Sequence, residues 1–264
     1  MKRLVCFFLG LILVVTCCIQ SVSAYDIPPK EEFQTINDAR ACKTYDEFIK
    51  YMKDNYNVTV DGHMSVYNFN TVKNAAAGIE YVINKYPALK GKIKTLKAEH
   101  TPYNYALGAM SDGNIYFYHF FFTRSDEYLK NWLTEEETAK KKEFHPSNTN
   151  NVFSYGMHEA AHLLTGLILE EEGKDFSIYT ENVTIAKKII DESVPNSKLK
   201  KQKMREVSQY AATNEAECIA EAICDYLVNG DEAAELSIKI AEYFKKYEKT
   251  PEDSDVFLIK QQIH

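Results

Sequence analysis

Glycine and proline are scarce, at 10 and 7 residues in a chain of 264. That scarcity excludes collagen-like and low-complexity classes, and a hydrophobic share of 45% excludes a wholly disordered chain. Six cysteines are too sparse for a scaffold built on disulfides. Positive charge is in deficit: 31 Lys and Arg against 38 Asp and Glu leave a formal charge of −7. Nucleic-acid binding needs a clustered basic excess, so no such partner is expected. There is no internal repeat. The length is enough for one large domain with its own core.

A long apolar run occurs only at the start. Met1 to Ala24 opens with Lys2 and Arg3, is apolar from Leu4 to Ile19 apart from Gly10, Thr16 and the cysteines, and ends Val22-Ser23-Ala24. Small or short residues at the last and third-last places fit a cleavage site, so 1–24 reads as a secretory signal peptide. The protein is then secreted, with no membrane contact after signal removal. The run is short for a span of about 20 residues. Lipoprotein processing at Cys17 or Cys18 is ranked below cleavage, because Thr16 or Cys17 would stand where Gly, Ala or Ser is wanted. Cys42, Cys218 and Cys224 remain. Cys218 and Cys224 are six apart on a predicted helix and point to different sides. All three are expected as buried small hydrophobes. Asn57-Val58-Thr59 and Asn182-Val183-Thr184 are glycosylation sequons, relevant only in a eukaryotic secretory pathway.

Residues 25–65 read as an N-terminal arm and helix, with helical spacing of Phe48, Tyr51 and Met52, and 66–264 as the main domain. Val72, Ala75, Ala76, Ile79, Val82 and Ile83 predict a helix over Phe69 to Tyr86, ended by Pro87. A short strand is expected over Ile93 to Lys97. Tyr103 to Met110 and Ile115 to Thr123 predict a hairpin turning at Ser111-Asp112-Gly113-Asn114. Glu135 to Asn151 reads as a surface connection. Helices follow over Phe153 to Glu171, Thr180 to Glu192, Leu199 to Val207, Asn214 to Val228 and about Asp231 to Tyr247. Short strands followed by segregated helices predict an α+β fold.

The chemistry sits in His158-Glu159-Ala160-Ala161-His162. On a helix, His158 and His162 share one face and reach one zinc. Glu159 is rotated by about 100° and reaches a metal-bound water, whose pKa zinc lowers towards about 7. Ala160, Ala161, Leu163, Leu164 and Leu167 make the segment apolar, where two imidazoles and a carboxylate are costly unless liganded. A catalytic zinc needs a third protein ligand. The metzincin form would need Gly at 165 and His at 168; the chain has Thr165 and Ile168. Two acidic candidates remain open: Glu181, and the pair Glu217 and Glu221, which lie four apart on one helix face. Asn214-x-x-Glu217 also fits a helix-capping box.

The run Tyr210-Ala-Ala-Thr-Asn-Glu-Ala-Glu217-Cys-Ile-Ala-Glu221, taken with His158-Glu159-x-x-His162, resembles the zinc-site helices of the anthrax lethal factor family of metallopeptidases. Pro-Pro endopeptidases and phage-associated toxin domains are similar. The likeness covers roughly Val152 to Gly230. It implies a zincin-like fold: a small sheet with a hairpin over the active-site helix, then a helical lower half. It also implies one zinc held by His158, His162 and Glu217, Glu159 as general base, Tyr210 as a donor to the oxyanion, and Glu221 orienting a ligand histidine. The spacer from His162 to Glu217 departs from the family in its length and its additional charged helix. Host-kinase substrates and proline-proline specificity do not carry over.

The expectation is therefore a secreted, monomeric zinc endopeptidase acting on a protein or peptide. The rivals are a secreted binding protein with a structural zinc, and a delivered toxin with the same chemistry. His63, His100, His119, His145 and His264 have no ligand spacing and read as surface or strand residues. Tyr103, Tyr105, Tyr116 and Tyr118 alternate, either for packing or at a sheet edge that takes a peptide by strand addition. Cys42 as a cap on the zinc is a minor reading.

Overall fold

The computed structural model describes residues 38–100, 107–109, 112–125, 128–129, 131 and 144–248. The expected signal peptide, Tyr103, Tyr105 and His264 lie outside the described residues.

Helix α1, Tyr45–Tyr56, starts where the Thr44 hydroxyl accepts the Glu47 N–H, and it buries Phe48, Met52 and Tyr56 on one face. Strand β1, Thr59–Val60, follows. Helix α2, Phe69–Lys85, is capped by the Asn68 side chain and buries the predicted stripe from Val72 to Ile83. Strands β2 (Thr95–Glu99), β3 (Leu107–Ala109) and β4 (Asn114–Tyr118) complete a sheet of order β1-β2-β4-β3. β1, β2 and β4 are parallel; β3 runs antiparallel to β4 and, like β1, is an edge strand among the described residues. Leu96, Ile115 and Phe117 turn inward, as a period of two requires. The architecture is α+β and mostly helical.

The strand expected to run to Thr123 stops at Tyr118. His119–Phe122 form a helical turn, α3. An extended chain would send Phe121 and Phe122 to opposite faces; the turn buries both, and the Phe122 carbonyl accepts the Asn68 N–H at 2.7 Å.

From residue 144 on, the described residues form α4 (Val152–Ala161), α5 (Leu164–Glu171), α6 (Tyr179–Ser193), α7 (Lys200–Val207), α8 (Glu215–Asn229) and α9 (Glu235–Phe244). The single helix expected over Phe153 to Glu171 is thus two. At the break, Leu163 N–H reaches back only to the Ala160 carbonyl and Gly166 N–H to that of Leu163, and the Thr165 hydroxyl takes the His162 carbonyl. The last expected helix contracts to α9, with single tight turns at Gly230–Glu232 and Lys245–Tyr247. No helix among the described residues is long and apolar enough to cross a membrane.

Residues 38–65 do not stand apart as an arm. Phe48, Met52, Val58 and Met64 belong to the same core as Ile79, Leu96 and Phe117. Against that core α2 and α4 meet backbone to backbone. A Cβ on Gly156 would lie 1.9 Å from the Ala75 carbonyl oxygen, and one on Gly78 would lie 1.9 Å from that of Phe153.

One carboxyl is sealed into this body. Glu80 of α2 is 1% exposed and accepts the Ala39 N–H at 3.1 and 3.3 Å and the Tyr51 hydroxyl at 3.1 Å. Burial first, then the Asp38 charge, raise its pKa from 4.5 to about 8. Folding therefore keeps a proton that the unfolded chain releases. The stability this contributes is full below pH 4.5 and lost as the pH rises through about 8. Glu80→Gln mimics the protonated form, so its stability relative to wild type should rise between those pH values, by up to about 1.4 kcal/mol per unit. Parallel denaturation curves across the range would contradict the assignment.

Candidate metal centre

The Asn151 side chain caps α4 by accepting the Ser154 N–H at 2.8 Å, and two turns on the helix presents His158. His162 ends α4, but its N–H still bonds the His158 carbonyl at 3.2 Å. The break between helices therefore comes after the pair, and the shared face predicted from the spacing is kept. The two Nε2 atoms lie 3.1 Å apart.

The third member comes from α8. Asn214 caps that helix by accepting the Glu217 N–H at 3.0 Å. The Glu217 carboxylate does not turn back to complete a capping box; its Oε2 lies 3.0 Å from His158 Nε2 and 3.4 Å from His162 Nε2. These three atoms form a triangle whose edges match the roughly 3.3 Å that tetrahedral ligands span around one zinc at bonds of about 2.0–2.2 Å. Among the described residues this is the one group of three or more His, Cys, Asp or Glu gathered closely enough to hold a metal ion. Glu181, the other candidate, is on α6 and pairs with Lys174 at 3.0 Å. Accordingly, His162→Ala and Glu217→Ala should each lose the metal by elemental analysis, and Glu181→Ala should keep it. Full metal in Glu217→Ala would overturn the triad.

Behind the triangle lies Glu221, one turn further along α8 and 2% exposed. Its Oε1 is 2.8 Å from His158 Nδ1. This is the place for a group that orients a ligand histidine. Glu221 has two more partners: the Ser208 hydroxyl donates to it at 2.9 Å, and His145 Nδ1 lies 3.2 Å from both oxygens. Burial would push the Glu221 carboxyl up, but the hydrogen bonds from His145 and His158 outweigh it and hold its pKa at about 2. Glu217 is likewise lowered: burial opposes, and the two histidines prevail. Burial of His158 would favour the neutral ring, yet hydrogen bonds to Glu217 and Glu221 raise its pKa well above the usual value. A metal ion and a proton thus compete for His158.

His145 corrects a sequence reading. The expected surface connection does not hold at this residue: its ring packs against Tyr155 and Tyr210, at 5.5 and 5.6 Å between centroids, beside the buried Glu221. Its partner is 76 residues away, a spacing that no local pattern announces. Ser208 was missed for the same reason.

Tyr210 lies between α7 and α8, where its N–H bonds the Phe144 carbonyl at 3.0 Å and its carbonyl accepts the Thr213 N–H at 3.0 Å. Its ring faces His158 at 5.7 Å. Burial, and then the charges of Glu217, Glu159 and Glu221, raise the phenol pKa, so it stays protonated and able to donate.

A cleft of about 580 Å³ opens over these groups, bordered by Glu159, His158, His162, Tyr210 and Glu217. Gly108 of β3 and Tyr118 of β4 form one side. α6 and the turn before it also line the cleft, through Phe176, Tyr179, Val183 and Ala186. The additional helix in the spacer therefore shapes the cleft. It is pinned by Asn182, whose Oδ1 accepts the Thr165 hydroxyl at 2.8 Å and whose Nδ2 donates to the Phe176 and Ile178 carbonyls. The amide nitrogen of this sequon is committed to the fold. Cys42, Cys218 and Cys224 are free and buried, as expected, and Cys42 is not in the metal-binding group.

Compared with protein-family models, with curated proteins and with solved structures, the chain matches none of them.

Proposed function

We propose that this chain is a secreted, zinc-dependent endopeptidase with a zincin-like, lethal factor-like catalytic half. The observation that carries the reading is the triangle of His158, His162 and Glu217 at 3.0–3.4 Å on the floor of an open cleft that also holds Glu159 and Tyr210. Two imidazoles and one carboxylate are a donor set suited to zinc and leave a fourth position free.

His158, His162 and Glu217 would hold the ion, and Glu221 keeps the His158 ring turned towards it. When bound, zinc lowers the pKa of a neighbouring water and draws charge from the scissile carbonyl. Glu159 takes the proton from the attacking water and passes it to the leaving amine. The Tyr210 hydroxyl donates to the developing oxyanion. The edge of β3 at Gly108, beside Tyr118 of β4, receives an extended peptide. The wall of Phe176, Tyr179 and Val183 favours an apolar side chain. A purely structural zinc would need neither Glu159 nor an open cleft.

The test is incubation of the zinc-loaded chain with a peptide library, with cleavage read by mass spectrometry. Chelator-sensitive internal cleavage is expected, and its absence would overturn the reading. On a cleaved peptide, Tyr210→Phe should lower kcat by roughly 10²–10³, the cost of one oxyanion donor, with little change in KM. Wild-type kcat in that variant, with its zinc intact, would return Tyr210 to a packing role.

A further inference from the structure

We propose that His100 and His119 form a second metal site, for a divalent ion of the Zn²⁺, Ni²⁺ or Cu²⁺ kind, at the carboxyl ends of β2 and β4. It stands independently of the peptidase reading.

The sheet register makes the pair. β2 and β4 run parallel and aligned, Thr95 opposite Asn114 through to Glu99 opposite Tyr118. The next residue after each strand is a histidine; the ladder itself ends there and His119 opens the α3 turn, yet the two rings remain neighbours. Their ring centroids are 4.9 Å apart, against 4.7 Å for His158 and His162. Tyr67 supports both rings, with centroids at 6.4 and 5.7 Å. Tyr67 is itself fixed: it is 5% exposed and its hydroxyl donates to the Phe117 carbonyl at 3.2 Å. The two imidazoles thus rest on a rigid base rather than on a mobile loop tip.

Both histidines are exposed, so an ion reaches them without the cost of burying it. Imidazole selects borderline transition ions over Mg²⁺ or Ca²⁺. No third His, Cys, Asp or Glu among the described residues closes a triad with them, so solvent completes the coordination and binding is weaker than at the main centre. An ion here would clasp β2 to β4 one residue beyond Tyr118, which borders the cleft.

The probe is Zn²⁺, titrated by calorimetry into the full metal-free chain, with the His100 and His119 ring signals followed by NMR. Two events are expected, one tight and one weak, with both ring signals moving in the weak one. His100→Ala and His119→Ala should each weaken the second event at least about tenfold, that is 1.4 kcal/mol, and spare the first. His162→Ala should do the reverse, which separates failure at one centre from failure at the other. His63→Ala, beside Asp61 at 3.1 Å, should change neither. A single event in the wild type that His162→Ala removes, or a weak event that survives both pair variants, would overturn the proposal.

Discussion

Glu159→Gln is expected to keep its fold and its metal and to lose turnover by about 10²–10⁴-fold, the usual contribution of a positioned general base. The carboxylate borders the same cleft as the triad but is not one of its three members, so the amide should leave metal content at the wild-type level. Glutamine retains the shape and much of the hydrogen bonding of glutamate but cannot take a proton from water. The loss should appear in kcat, because the proton moves only in the reaction, and KM should change little. Metal analysis and steady-state kinetics on one cleaved peptide decide it. A variant with full metal and kcat within a few-fold of wild type would remove Glu159 from the mechanism while leaving the metal centre standing.

The largest effect on stability is expected from Gly156→Ala. Alanine is normally the better helix former by about 1 kcal/mol. Here its Cβ would lie 1.9 Å from the Ala75 carbonyl oxygen and 2.8 Å from the carbonyl carbon. Both belong to the backbone of α2, so no rotamer change relieves the clash. The helices must separate, and Gly78 on the facing helix meets the Phe153 carbonyl in the same way. A loss on the order of 3–5 kcal/mol follows, much of the stability of an ordinary domain. Because α4 carries His158, the displacement also moves the candidate metal-binding group. Denaturant unfolding measures the loss. Gly62→Ala is the control: a Cβ there meets nothing within 4 Å, and stability should stay within about 0.5 kcal/mol of wild type. Wild-type stability in Gly156→Ala would mean that α2 and α4 do not touch as described.

The parts of the fold legible in the sequence are those written locally. The α2 stripe, the turn before β4, the cap at Asn214, and the shared face of His158 and His162 depend on residues within a few positions of one another. The fold class followed from their order. What stayed hidden depends on distant partners. Whether Glu181 or Glu217 faced the histidines depended on how α6 and α8 pack, and resemblance decided what spacing left open. His145 gave no sign because its glutamate is 76 residues on. The aromatic run after Tyr118 looked like strand because aromatics favour strands. It turns because two phenylalanines must enter one core. The break after His162 has neither proline nor glycine to mark it; a threonine hydroxyl and two shortened turns create it.

The residue next to the proposed carboxylate ligand is Cys218, and a thiolate there would be a softer competitor for the same ion. Its sulfur is withheld by position. Cys218 is fully buried, and burial raises its pKa far above the ordinary thiol range, so the nucleophilic, metal-seeking form is suppressed. Cys224, also buried and raised, and Cys42, raised by burial, are no more reactive. None of the three is bonded to another, so this body of the protein closes without any oxidation step. Oxidants that would scavenge an exposed thiol find none among the described residues beside the candidate metal-binding group.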